Sequence, residues 1–245
     1  VTQKKKKPVS AAAESDVAAP HPHLIEAASS TQVKLDLGCG QHPKEGFDGV
    51  DLYATQAKHR VDLFKFPWPF ADESVDEIHC SHFMEHVPAR EIEERDLVEL
   101  PADPRGHVFE DVPDGHGRFR RCVSGSSKFL GQDMLFAFMD ECYRILKPDA
   151  WMHVIVPSGR SNRAFQDPTH RRFFVQETFA YFWADWRKAQ GLDHYRVKCN
   201  FVSDVGYSLP QEETLRSAEA QTERFQHYWN VTIDWIAKLK KAPRP

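Results

Sequence analysis

The sequence predicts an α/β fold with a mostly parallel sheet and helices on both faces. Three observations predict it. Short β-rich runs recur at residues 33–37, 49–52, 60–63, 75–80 and 151–156. Over residues 131–147, Leu135, Phe138, Cys142 and Leu146 fall on one face at helical steps of three or four. The first run stops at Gly38-Cys39-Gly40, where a backbone can turn sharply and come close to a ligand. Strands that alternate with helical patterns imply parallel pairing.

The elements follow in chain order. Residues 1–20 are Lys, Ala, Ser and Pro with almost no large apolar side chain, and read as a flexible tail. Residues 21–245 read as a single domain. Val33-Lys34-Leu35-Asp36-Leu37 opens the sheet, and Lys147-Pro148 stops the helix that precedes the strand at 151–156. Residues 176–186 form a helical aromatic stretch. Two late strands, near 195–202 and 225–233, run together and suggest an antiparallel edge. Residues 89–130 interrupt the pattern: they open on a charged run, turn rich in Pro, Gly and His, and end in Ser124-Gly125-Ser126-Ser127. They read as an insertion, either a surface loop or a lid.

Composition narrows the function classes. The chain has 245 residues, 41% hydrophobic and 12% aromatic, enough to bury a sizeable core and too many for wholesale disorder. Its net charge of −4 names no polyanionic partner. The four lysines Lys4 to Lys7 could touch nucleic acid, but a solvated tail is favoured. No apolar stretch approaches the ~20 residues of a membrane span, and no apolar segment of a signal peptide follows the lysines. Cys39, Cys80, Cys122, Cys142 and Cys199 are odd in number and scattered, with no Cys-x-x-Cys. That pattern suggests a reducing, cytoplasmic setting without a disulfide framework or a thiolate zinc site.

A dinucleotide fingerprint would continue the glycine turn as Gly-x-Gly-x-x-Gly, but Pro43 holds the third position and has no N–H to donate. Asp51, at the end of the second run, is placed to accept hydrogen bonds from ribose hydroxyls. Five motifs occur in order: Leu35-Asp36-Leu37-Gly38-Cys39-Gly40, Gly46-Phe47-Asp48-Gly49-Val50-Asp51, Pro69-Phe70-Ala71-Asp72-Glu73-Ser74-Val75-Asp76, Ser81-His82-Phe83-Met84-Glu85-His86 and Tyr143-Arg144-Ile145-Leu146-Lys147-Pro148. The series resembles class I S-adenosylmethionine-dependent methyltransferases, and looks closest to small predicted methyltransferases of bacteria and bacteriophages.

The resemblance implies a Rossmann-like sheet of seven strands, ordered 3-2-1-4-5-7-6, with the last strand antiparallel. It implies S-adenosylmethionine as cofactor. Asp36, Gly38, Cys39 and Gly40 would lie along its methionine part, Asp51 and Leu52 at the ribose, and Asp62 and Leu63 near the adenine. Ser81 and His82 would face the sulfonium and the acceptor. Asp149-Ala150 stands where the family often has Gly-Gly.

His82-Phe83-Met84-Glu85-His86 also fits the inverted zinc-peptidase pattern His-x-x-Glu-His. Pro88 follows almost at once and no third ligand is evident, so the pattern is disfavoured and no metal is assigned. The acceptor is read partly by elimination. The Asp/Asn-Pro-Pro-Tyr/Phe of amino-methylating DNA enzymes is absent after the fourth strand, and no Pro-Cys pair serves cytosine chemistry. After the fifth strand, Asp167-Pro168-Thr169-His170-Arg171-Arg172 is either a hydrogen-bonded turn or a catalytic loop. In the second reading His170 is the general base, Asp167 orients it, and Arg171 or Arg172 holds the acceptor. The function expected is methyl transfer to a small or glycan-like acceptor, on oxygen. The alternatives are a non-catalytic S-adenosylmethionine-binding interaction module and the zinc hydrolase.

Overall fold

A computed structural model describes residues 32–88, 98–99, 109–113, 119–123, 128–129, 133–192, 195 and 197–245. The lysine tail lies outside the described residues. Six strands form the main sheet: β1 (Lys34–Leu37), β2 (Asp48–Val50), β3 (Val75–Ser81), β8 (Leu146–Pro157), β9 (Phe201–Tyr207) and β10 (Asp234–Lys241). Their order is β2-β1-β3-β8-β10-β9. The pairs β1–β2, β1–β3 and β3–β8 are parallel, and β10 runs antiparallel to both β8 and β9. Leu35 and Leu37 are buried along with the intervening Asp36, as a central parallel strand requires.

The sheet has six strands where the resemblance implies seven. The strand expected at 60–63 shrinks to one parallel bridge, Val50 to His59, with His59 N–H donating to Gly49 O at 3.0 Å and Asp51 N–H to His59 O at 3.1 Å. Asp62 ends the pairing. Its carboxylate accepts from Phe64 N at 3.1 Å and its carbonyl from Lys65 N at 3.0 Å, which folds the chain into a turn. The helices are also distributed differently from expectation. The connections after β1 (38–47) and after β2 (51–74) contain no α-helix. Helices sit further on: α1 (Met134–Ile145), α2 (Ala184–Ala189), α3 (Gln211–Thr214) and α4 (Ala218–His227).

Helix α1 forms where its periodicity predicts. Asp133 caps it by accepting from Leu135 N at 2.9 Å, and Leu135, Phe138, Met139 and Cys142 are buried. The aromatic stretch is a 3-10 helix (Gln176–Phe182) followed by α2. Phe174, Phe179 and Phe182 pack into the core, while Phe173 and Trp183 stay exposed. The strand expected at 225–233 is instead the end of α4 and a loop. Ser217 caps α4 by accepting from Ala220 N, and β10 starts only at Asp234. Likewise β9 starts at Phe201 rather than near Tyr195, so α3 and α4 separate the two late strands. The insertion is not structureless: β4 (Val98–Glu99) pairs with β7 (Lys128–Phe129) around the antiparallel pair β5 (Phe109–Pro113) and β6 (Phe119–Val123).

Two of the five motifs prove to be mutual braces. Arg144 Nη1 donates to Phe70 O at 2.8 Å and to Asp72 Oδ1 at 2.6 Å; its Nη2 donates to Trp68 O at 3.2 Å and to Glu141 Oε1 at 2.6 Å. Glu141 in turn accepts from Trp68 N at 2.6 Å. Lys147 pairs with Asp76 at 2.7 Å, and Asp76 also accepts from Val33 N at 2.8 Å. The third and fifth motifs thus lock α1 and the start of β8 to the chain that leads into β3.

Candidate functional site

The carboxyl ends of β1, β2, β3 and β8 point to one edge of the sheet, where open α/β sheets bind ligands. Gly38 and Gly40 turn the chain there with φ of 67° and 54°. A side chain on Gly38 has no room: a Cβ would lie 2.8 Å from Phe83 Cβ and closer still to its ring. Asp51, just past β2, ties the turn to its neighbouring strand. Its Oδ2 accepts from Gly40 N at 3.2 Å, and its Oδ1 accepts from Tyr53 N at 2.8 Å and Ala54 N at 3.0 Å. Beside it lies a cavity of about 270 Å³ walled by Asp51, Leu52, Asp62, Leu63 and Phe83 among others. Four of the residues expected to hold a nucleoside therefore meet in one pocket.

Asp36 is placed differently from its expected position along a ligand. It is buried beneath the loop, where its carboxylate accepts from Lys44 N at 2.8 Å and from His79 Nδ1 at 2.7 Å. It braces the glycine turn from below and does not wall the cavity. Cys39 donates to Gly40 O at 3.4 Å, and burial together with the charges of Asp36 and Asp51 pushes its thiol up to about 11. At neutral pH it is a thiol and no nucleophile. Ser81 ends β3. His82 follows with φ of 54°, a left-handed conformation rare for a non-glycine residue, held by its N–H on Ile155 O at 2.8 Å.

Past His82 the chain makes one 3-10 turn, Met84–His86. The inverted zinc pattern therefore does not form: it needs both histidines on one helical face, and His82 stands outside the turn. A different set of side chains converges instead. Arg171 N and Arg172 N donate to Glu85 O at 2.7 and 3.0 Å, which docks the loop after β8 onto this turn. His170 comes to rest beside His86, ring centroids 4.7 Å apart and the planes at 78°.

The loop after β8 is not wired as the catalytic reading expects. Asp167 accepts from Thr169 N at 2.8 Å and Thr169 Oγ1 at 2.7 Å, and these bonds hold its carboxyl below the usual range. Its Oδ2 is 4.0 Å from His170 Nε2, too far for a hydrogen bond. His170 is oriented by the Ala164 carbonyl, which accepts from its Nδ1 at 2.8 Å. Arg172 is committed to structure, donating to Val87 O, Pro88 O and Asp133. Arg171 is exposed.

Two features escaped sequence reasoning. Glu85 is 1% exposed, and neither of its carboxylate oxygens has a hydrogen-bond partner. An unpartnered buried polar group cannot be read from a motif. The second is an aromatic surface: Phe165 stacks on Phe173 at 4.5 Å and leans on Trp229 at 5.9 Å, all three about half exposed. Trp229 arrives from the loop after α4, fixed by its Nε1–H on Asn162 Oδ1 at 2.7 Å. Phe165 and Phe173 flank one loop in the sequence, but Trp229 stands more than fifty residues further along the chain.

No helix among the described residues is long and apolar enough to cross a membrane. No family model and no curated protein matches the chain. Solved structures do. An S-adenosylmethionine-dependent methyltransferase from Archaeoglobus fulgidus superimposes with a TM-score of 0.50 at 17% identity, over 86% of each chain. The YcgJ protein from Bacillus subtilis gives 0.42 at 11% identity, over 87% of this chain and 93% of that one. An S-adenosylmethionine-dependent methyltransferase from Mesorhizobium loti gives 0.38 at 13% identity, over 85% and 90%. The Archaeoglobus match, with the sheet order and the glycine turn at its switch point, gives this chain the fold of the S-adenosylmethionine-dependent methyltransferases.

Proposed function

We propose that the protein binds S-adenosylmethionine between the Gly38–Gly40 turn and Asp51, and transfers its methyl group to an oxygen of a small or glycan-like acceptor. The observation that carries this reading is the bond from Gly40 N to Asp51 Oδ2, which fixes the turn and the carboxylate together beside the cavity. The residues fit the cofactor. Asp51 Oδ2, which accepts only from Gly40 N, keeps a lone pair for a ribose hydroxyl, Asp62 offers an acceptor to an exocyclic amine, and Leu52, Leu63 and Phe83 give apolar walls for a base. Gly40 leaves open space over the turn, and Gly38 lets the Phe83 ring pack directly against the backbone. When bound, the cofactor supplies a methyl group already activated by a sulfonium.

The chain's own task is then alignment and exclusion of water. Ser81 and His82, at the end of β3, form the floor on which donor and acceptor would meet. Phe165, Phe173 and Trp229 offer faces on which a sugar ring or an aromatic acceptor can stack. A hydroxyl is a poor nucleophile and needs its proton removed. His170 has the right tautomer for this: Nδ1–H is tied to Ala164 O, so Nε2 keeps its lone pair.

Calorimetric titration with S-adenosylmethionine tests the reading. Asp51→Asn loses a charge-assisted acceptor worth about 1.5–3 kcal/mol, so the dissociation constant rises about 10- to 100-fold. No binding by the parent protein overturns the proposal. Binding without release of S-adenosylhomocysteine in the presence of any sugar, phenol or alcohol acceptor would instead support a non-catalytic binding module.

A further inference from the structure

We propose that Glu85, His86 and His170 form a site for one divalent first-row transition-metal ion. Three observations converge. Ligand atoms of the three side chains lie within 4.8 Å of one another. They come from two segments, the turn after β3 and the loop after β8, which the bonds from Arg171 N and Arg172 N to Glu85 O hold together. A tetrahedral metal about 2.0–2.2 Å from each ligand holds its ligand atoms roughly 3.3–3.6 Å apart, so side-chain movements of about 1 Å close the set around an ion.

The second observation is independent of that spacing. The Glu85 carboxylate is buried, and both of its oxygens lack a hydrogen bond. His82 Nδ1 stands 3.4 Å from Oε1 without hydrogen-bond geometry. Among the described residues, neither His86 nor His170 forms an ion pair with Glu85. A buried carboxylate left without partners is destabilised by its desolvation, and a bound cation offsets that.

The third observation is the wiring behind the imidazoles. Thr169 Oγ1 donates to Asp167 at 2.7 Å, so it accepts from His86 Nδ1, 3.0 Å away. His170 Nδ1–H donates to the Ala164 carbonyl at 2.8 Å. Each ring is thereby fixed with its Nε2 lone pair unused. Histidines that ligate metals show this arrangement, with the far N–H donated to a carbonyl or a carboxylate-linked group. Asp167, expected to orient His170, instead supports His86 through Thr169.

The donor set is two nitrogens and one oxygen. It suits Zn²⁺, Mn²⁺, Fe²⁺ or Co²⁺, and does not suit Mg²⁺ or Ca²⁺, which prefer oxygen cages. With the ion bound, His170 Nε2 is a ligand and not a base. Open positions on the ion would take an oxygen of the acceptor. That consequence rests on the methyl-transfer reading, whereas the site itself does not.

The full chain, stripped with chelator and dialysed free of it, is titrated with Co²⁺ and followed by visible absorption, and with Zn²⁺ by calorimetry. One equivalent bound, with a raised melting temperature, is expected. Glu85→Gln and His170→Gln should each weaken binding at least about 10-fold, and Thr169→Val should weaken it while leaving one equivalent bound. Absence of stoichiometric binding by the parent overturns the site whatever the variants do. Binding unchanged in both ligand variants overturns it too, because the ion then sits elsewhere. If the metal binds and S-adenosylmethionine does not, the site stands and the methyl-transfer reading falls. The opposite pair of results overturns the site and leaves His170 free as a base.

Discussion

Replacing Gly38 by alanine tests the most crowded point of the site. Two costs follow from the structure. The backbone there has φ of 67°, which an L side chain tolerates at about 1–2 kcal/mol. The added Cβ would also stand 2.8 Å from Phe83 Cβ, against about 3.5–4.0 Å for relaxed carbons. Rotating the ring does not relieve a clash with Cβ, so the chain at Phe83 must move. Phe83 is stacked against Phe64 at 5.5 Å and leans on Phe138 at 5.7 Å, which resist that movement. Overpacking of this kind costs about 1–3 kcal/mol, giving about 2–5 kcal/mol in all. Gly40→Ala is the internal control: its φ is 54°, but a Cβ there meets nothing within 4 Å. The gain from a stiffer unfolded chain is common to both variants and cancels. Urea unfolding should therefore find Gly38→Ala less stable than Gly40→Ala by about 1–3 kcal/mol. The two variants unfolding within 0.5 kcal/mol of each other, roughly the additivity error of such measurements, would refute the packing argument.

Two further outcomes follow from titrating groups. Burial would raise the Asp76 carboxyl, but Lys147 at 2.7 Å and the Val33 N–H at 2.8 Å outweigh it and hold it below the ordinary range. Its contribution to stability is complete above the ordinary carboxyl pKa of about 3.9 and is lost as pH falls through the lower folded value. Lys147→Met removes the main restraint, so the acid-unfolding midpoint should move to higher pH; an unchanged midpoint would show that the pair contributes nothing. Cys39, with its thiol near 11, should react with iodoacetamide at pH 8 roughly 100-fold more slowly than a free thiol of pKa about 8.5. This is measured on a Cys122→Ser background, the remaining cysteines being buried. A rate like that of free cysteine would contradict the assignment.

What was legible in the sequence followed burial. β1 buries a continuous run, β3 and the second half of β8 bury spaced apolar residues within β-rich segments, and α1 buries a stripe at helical spacing, so each is legible. Helix α4 buries none of its residues and therefore carries no apolar period to detect. The late strands were misplaced for the same reason, since the aromatic residues near Phe225 suggested a strand where α4 ends. The third strand failed on a local rule: Asp62 bonds its own following backbone and turns the chain before a ladder can form. In the site, Gly38, Gly40 and Asp51 were readable because each needs a special backbone or an end-of-strand position. The roles of Asp167 and Glu85 were not, because they depend on which loop lands on the turn after β3. That is decided by the adjacency of β3 and β8, not by any local spacing.

The reduced outer edge of the sheet has an energetic consequence. β2 has three residues, and among the described residues its only outer neighbour is the bridge at His59. The chain from Leu52 to Phe64 that walls the cavity beside Asp51 thus hangs on few backbone bonds, with no full strand paired to it among the described residues. Segments so anchored open at low free energy. A ligand that grips this wall closes it in the same event, and its measured affinity is the intrinsic affinity reduced by the fraction of molecules whose wall is already shut.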